Sequence, residues 1–156
     1  MGVPVVIAEW IGLIGLIVGI LVAVALLVIA FLGWCRHRLR SLMRSLSAEL
    51  AISGERVQRG PESAVYRGGT AGYSRVKGNG LLVLTDRRLL CRKLIGGRIE
   101  VPVAAIAGIR EATWFLRSAT AGHPHLIVQL YDGSEVGFFV SDHPGWLAAL
   151  RKVIAR

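Results

Sequence analysis

From Ile11 to Trp34 the chain carries no charged residue over 24 consecutive positions. Few folds accept such a run. A helix over it reaches roughly 36 Å at about 1.5 Å per residue, enough to cross a hydrocarbon core of about 30 Å with some tilt. A helix is also the only single-segment structure that satisfies its own backbone in lipid. Trp10 and Trp34 flank the run, where interfacial aromatic side chains belong. The sequence therefore predicts a transmembrane helix over 11–34. The main rival is a cleaved signal peptide, which needs a positive n-region, an apolar core of about 7–15 residues and a small-residue cleavage site. Residues 1–9 carry no Lys or Arg, the run is too long, and arginines rather than an A-x-A site follow it. A retained anchor is the expectation.

Charge sets the expected orientation. Only Glu9 precedes the run, whereas Arg36, Arg38, Arg40 and Arg44 follow it. The positive-inside rule then puts the N-terminal segment 1–10 outside and everything after the span in the cytoplasm: a single-pass protein of the cell membrane. The same four arginines also suit an anionic lipid surface. Within the span, Gly15 and Gly19 form G-x-x-x-G, with Ala23 one step further. Small residues at this spacing let helices approach closely, so they mark a helix-packing face, although the motif also recurs by chance. Residues 35–54 turn amphipathic, with Leu39, Leu42, Met43, Leu46 and Leu50 at helical spacing and Arg36, Arg40 and Arg44 on another stripe. This segment reads as a basic juxtamembrane helix, either a stalk or a helix lying in the lipid interface. The two cysteines, Cys35 and Cys91, have no C-x-x-C partner and read as free thiols, with Cys35 placed where acylation is possible.

Ser53-Gly54 ends the helical pattern, and from Glu55 the texture becomes β, with short apolar stretches between Gly, Asp and Asn. Strands are expected over 63–67, 73–77, 81–85, 88–93, 98–101, 107–114, 126–131 and 135–140. Turns are expected at Lys77-Gly78-Asn79-Gly80, Asp86-Arg87, Gly96-Gly97 and Asp132-Gly133, with a long small-residue loop over 116–124. Asp142 can cap a final helix with Pro144 in its first turn, and Trp146, Leu147, Leu150, Val153 and Ile154 form one apolar stripe. About seven antiparallel strands closed by one helix make a partly open barrel over 55–156.

Three segments carry a resemblance. Gly80-Leu-Leu-Val-Leu-Thr-Asp-Arg-Arg-Leu-Leu-Cys91 is similar to the G-x-L-x-L-T-x-x-R-L-x-x hairpin of bacterial pleckstrin-homology-like (PH-like) and GRAM-like domains. Arg98-Ile-Glu-Val-Pro-Val-Ala-Ala-Ile106 resembles their I-x-I-P-x-x-x-I segment, and the tail with Asp132-Gly133, Phe138-Phe139-Val140 and Trp146-Leu147 also fits. The resemblance implies a mainly-β PH-like domain with a C-terminal capping helix. Its motifs are structural, and the family has no invariant ligand-binding signature to carry over.

The chemistry-bearing residues do not assemble into a catalytic set. There is no G-x-S-x-G, P-loop or H-E-x-x-H, and the carboxylates are scattered. His123-x-His125 lacks a third ligand nearby, and His143 precedes Pro144 at the helix start. A non-enzyme without metal or cofactor is expected. The net charge of +9 favours acidic partners. Arg75 and Lys77 flank one turn, Arg87 and Arg88 the next, and Arg92, Lys93 and Arg98 a third. PH-like domains often present basic residues from early hairpins to phosphorylated headgroups, which makes these seven the anionic-ligand candidates. A solvated basic face near an anionic leaflet, with no specific pocket, is the simpler explanation and the preferred one. Nucleic acid is not expected, because no aromatic-basic stacking platform accompanies them. The expected function is a membrane-anchored binding module with a protein partner, a second copy or anionic headgroups. The alternative is an accessory subunit assembled partly through the transmembrane helix.

Overall fold

The computed structural model describes residues 3–119 and 122–155. The expected outer segment 1–10 and the expected loop 116–124 therefore lie partly outside the described residues. The chain divides into two compact units, Met1–Arg38 and Leu39–Arg156.

One helix, α1 (Val3–Ser53), contributes to both units. In the first it carries the apolar run. From Trp10 onward this stretch has no buried residue, and its mean hydropathy reaches 3.2 in the most apolar window. It is long and apolar enough to cross a membrane by length and composition, a criterion that signal sequences also meet. Nothing lies within 4 Å of where a Cβ would sit on Gly15 or Gly19, and Ala23 is exposed.

The second unit begins with the last turns of α1 and continues, among the described residues, with nine strands: β1 (Val57–Gly69), β2 (Gly78–Thr85), β3 (Arg88–Lys93), β4 (Arg98–Pro102), β5 (Ile106–Ala112), β6 (Trp114–Phe115), β7 (Ser118–Ala119), β8 (His125–Leu130) and β9 (Glu135–Val140). Helix α2 (His143–Ile154) closes the chain. Seven strands form one antiparallel sheet in the order β4-β3-β2-β1-β9-β8-β5, and β6 and β7 form a separate two-stranded ribbon. The long β1 pairs with both β2 and β9, with register shifts along each ladder, so one strand belongs to both halves of the curled sheet. Extra residues in a ladder bend the strand and raise its twist. This is the PH-like architecture implied by the hairpin motifs: a half-barrel with a helix packed into it.

The core follows from strand alternation. Leu82, Leu84, Leu89, Cys91, Ile99 and Val101 point inward from β2–β4, and meet Leu126, Val128, Val136 and Phe138 from β8 and β9. Trp146, Leu150 and Val153 of α2 fill the same core. Asp142 caps α2 as expected, its Oδ1 accepting from the Gly145 amide at 3.1 Å, with Pro144 in the first turn.

Two expectations need correction. Residues 73–77 are not a strand, and Lys77-Gly78-Asn79-Gly80 is not a turn. Instead β1 runs on to Gly69, a loop follows, and β2 already starts at Gly78. The glycines explain this. Gly68 and Gly72 adopt positive φ of 111° and 86°, which bends the chain before Tyr73, where alternation alone suggested a strand. Gly80 lies in a ladder, opposite Lys93. A Cβ there would run into the Arg92 carbonyl oxygen and stand 2.9 Å from Lys93 Cα. It is a glycine of close approach rather than of turning.

The second unit also starts upstream of the β texture. Leu42, Leu46 and Leu50 of α1 are buried against Leu81, Val83 and Leu90, with Leu39 and Leu94 packed at the margin. From Leu39 on, the amphipathic segment thus packs on its own domain, where its leucines cover the outer face of β2–β3. Strand β2 accordingly has Leu81, Leu82, Val83 and Leu84 all fully buried, alternately against α1 and within the half-barrel. Gly54, with φ of 64°, stops the helix.

Candidate functional site

The seven basic candidates separate into three environments. Arg88, Arg92 and Arg98 stand on the outer face of β3–β4, the face that α1 covers. Glu49 of α1 lies 3.3, 3.4 and 3.4 Å from these three guanidinium groups in turn. Arg88 also meets Glu55 at 2.8 Å and Glu100 at 2.8 Å, and Arg92 donates to Ser45 Oγ at 3.2 Å. Three arginines and three glutamates balance, so this part of the basic surface is already neutralised. Burial opposes ionisation of Glu55, yet bonds from the Thr85 hydroxyl and the Arg88 guanidinium hold its carboxyl below the ordinary range. The Glu55 hydrogen bond in turn raises Arg88, with Glu100 adding to it against a partial burial penalty. Arginines clasped in this way hold a helix to a sheet.

Lys93 faces the other way. It is only 4 % exposed, its Nζ donates to the Val76 carbonyl at 3.4 Å and lies 5.5 Å from the centroid of the Tyr66 ring. No carboxylate touches it among the described residues. It sits beneath the loop joining β1 to β2 and beside the turn joining β3 to β4. Tyr66 donates to the Ser74 carbonyl at 2.5 Å, and the Leu94 amide donates to the Asn79 carbonyl at 2.8 Å. These bonds tie the two connections into one end of the half-barrel.

Arg75, Lys77 and Arg87 are exposed and make no side-chain hydrogen bond or ion pair among the described residues. Arg75 and Lys77 lie on the β1–β2 loop at the end just described. Arg87 lies at the opposite end of β3, beside a hollow of 490 Å³ that Asp86, Val103, Ile106, Tyr131 and Ile154 help to line. The seven therefore do not converge on one pocket. Arg36, Arg40 and Arg44 are exposed on α1, with Arg44 Nε donating back to the Arg40 carbonyl at 3.5 Å. Arg36 and Arg38 belong to the first unit, and Arg40 and Arg44 to the second.

Several residues at this end escaped sequence reading. Arg117 lines a 370 Å³ hollow with Arg75 and Leu116. It lies on the β6–β7 turn, where Leu116 and Arg117 both take positive φ, at 44° and 58°. Non-glycine residues pay for such conformations and hold them only where the surroundings fix them. Val76 and Ile95, large and apolar, are 68 % and 74 % exposed on the two connections. The signal available was a valine set singly between two cations, in Arg75-Val76-Lys77, and an isoleucine directly before a glycine turn, in Ile95-Gly96-Gly97.

No family model matches the chain, and no curated protein is similar to it at a significant level. Among solved structures, the C-terminal domain of an unknown protein from Leishmania infantum superposes with a TM-score of 0.53 at 14% identity, over 75% of this chain and 98% of that one. The Vps36 N-terminal PH domain superposes with a TM-score of 0.45 at 18% identity, over 67% of this chain and 85% of that one. The first likeness concerns the fold alone, and nothing further is argued from the second.

Proposed function

We propose that this chain is a membrane-anchored, non-enzymatic binding module that presents its PH-like domain at the cytoplasmic face. The observation that carries the reading is the joining of the two units by chain. An apolar run fit to cross a bilayer leads directly into a helix whose leucines form part of the domain's hydrophobic packing. A segment built into the folded domain is a tether by construction. The excess of arginine after the run supports the N-out orientation. With attachment supplied by the tether, the domain's binding capacity is left for a protein partner, a second copy or anionic headgroups. In sealed cells the domain resists added protease, and in inverted membrane vesicles it is digested. Digestion in sealed cells overturns the orientation.

The alternative role, an accessory subunit assembled through the membrane helix, is supported by the G-x-x-x-G spacing of Gly15 and Gly19. Solubilised gently from native membranes, the chain then migrates in a larger complex that Gly15→Leu with Gly19→Leu disperses. Migration as a small monomer refutes it.

A further inference from the structure

The 490 Å³ hollow beside Arg87 lies wholly within the second unit, at the end of the half-barrel away from the β1–β2 loop. Its floor is apolar. Val103, Ile106, Val153 and Ile154 meet there from the short turn after β4, from β5 and from α2. Ile106 and Val153 are core residues, 2 % and 6 % exposed, so the hollow opens onto the hydrophobic core. Its volume falls within the range of about 300–1,000 Å³ typical of binding sites. Arg87 and Tyr131 stand on the rim. Tyr131 is 77 % exposed, and Arg87 is the exposed cation described above.

The backbone under both rim residues is fixed. The Arg87 carbonyl accepts from the Val103 amide at 2.8 Å, and the Arg87 amide donates to Thr85 Oγ1 at 3.2 Å. The Tyr131 amide donates to the Ala105 carbonyl at 3.0 Å, and Asp132 closes the turn after it, its Oδ1 accepting from the Ser134 amide at 2.8 Å. Neither rim side chain takes part in these bonds. A rim already held in place loses little entropy when a partner arrives. Tyr and Arg around an apolar pocket are also the residue types enriched at interaction hot spots, where Lys, Glu and Asp are depleted.

Charge narrows the partner. Asp86 is the carboxylate of the lining, and its Oδ1 is engaged by the Arg56 amide at 3.0 Å. Against it stand Arg87 and, in the last turn of α2, Arg151 and Lys152, both exposed. The balance around the hollow is cationic, which favours an acidic partner.

We propose that this hollow docks a short acidic segment of a partner protein. The segment places an aliphatic side chain on the floor formed by Val103, Ile106 and Val153, and a neighbouring Asp or Glu beside Arg87. The proposal rests on the binding-module reading and names the class of partner. In the test, the full chain in phosphatidylcholine nanodiscs is panned with a random peptide library displayed on phage, with empty nanodiscs as counter-selection. The enriched peptides share an aliphatic residue next to Asp or Glu. Synthesised with a fluorophore, they bind the full chain in anisotropy titrations, and Arg87→Glu or Tyr131→Ala weakens them about tenfold or more. Ala104→Trp, which fills the hollow from an exposed position on its lining, does the same. Arg75→Glu, at the other end of the half-barrel, leaves binding within about twofold at physiological salt. Peptides that bind but ignore all three substitutions at the hollow overturn the site and leave the binding module standing. A consensus that is basic, or that lacks the aliphatic residue, also overturns the site. A library with no enriched peptide overturns the protein-partner branch together with the hollow.

Discussion

Leu46 and Glu49 sit one helical turn apart on the docked part of α1, and they allow packing and charge to be weighed against each other. Leu46 is fully buried between helix and sheet. Removing three carbons from such a site costs about 2–5 kcal/mol, the lost transfer energy plus the cavity left behind. Glu49 touches three arginines, but at 3.3–3.4 Å, and Arg92 and Arg98 are 29% and 56% exposed. Arg88 keeps Glu55 and Glu100, each at 2.8 Å, whatever happens to Glu49. Partly exposed ion pairs of this kind contribute at most about 1 kcal/mol. Leu46→Ala therefore raises the opening constant of the domain about 10²-fold, and Glu49→Gln by about fivefold or less. Cys91 reports the opening. Its side chain faces the core, and burial pushes its thiol up to about 12, with Lys93 pulling slightly the other way. Its reaction with a neutral-pH thiol reagent, measured on the full Cys35→Ser chain in detergent, thus tracks the unfolded fraction. Equal acceleration by both substitutions, or a larger effect of Glu49→Gln, refutes the ranking. No acceleration by Leu46→Ala refutes the docking of the helix altogether.

Three further outcomes follow from the same contacts. A chain trimmed to 55–156 uncovers Leu81, Val83 and Leu90 and aggregates on size exclusion, whereas one starting at Leu39 runs as a discrete species. Gly80→Ala forces a methyl group toward the Arg92 carbonyl and costs about 1–3 kcal/mol, lowering the thermal midpoint by about 4–8 °C per kcal/mol. For Glu55, burial works against the charge but the Thr85 and Arg88 bonds outweigh it, so the folded-state pKa lies below the ordinary value of 4.5. Its contribution to stability is therefore complete above pH about 4.5 and fades as the pH falls through the folded value. The gap in urea midpoint between the native chain and Glu55→Gln closes on acidification below that pH. A gap that widens instead contradicts the assignment.

Much of this fold is legible in periodicity. The 24-residue uncharged run, the short apolar stretches of β3, β4, β8 and β9 between turn residues and the Asp142 cap with its apolar stripe all specify their elements locally. The failures occur where a residue has two readings that only tertiary contacts resolve. Gly78 and Gly80 look like turn glycines, yet Gly80 is there because the Arg92 backbone comes too close for a side chain. The Leu39–Leu50 stripe fits a stalk, a lipid surface or a sheet, since each offers an apolar face. One clue favoured the sheet: Leu81-Leu82-Val83-Leu84 is apolar at every position, so both faces of β2 must be covered. The basic candidates were readable as residues but not as a site. Which arginine is neutralised depends on Glu49 and Glu100, and Glu49 lies about 40 residues away from Arg88. Val76 was hidden for the opposite reason, because a lone valine between two cations reads as part of a strand.

The account stands most directly on the retention of residues 11–34 as an anchor. Membranes from cells expressing the chain, washed in alkaline carbonate and analysed by intact mass, provide the measurement. The account predicts the complete 16.9 kDa chain in the carbonate-resistant pellet. A carbonate-soluble domain lacking the apolar run contradicts it, because the segment then acts as a signal sequence and tethers nothing.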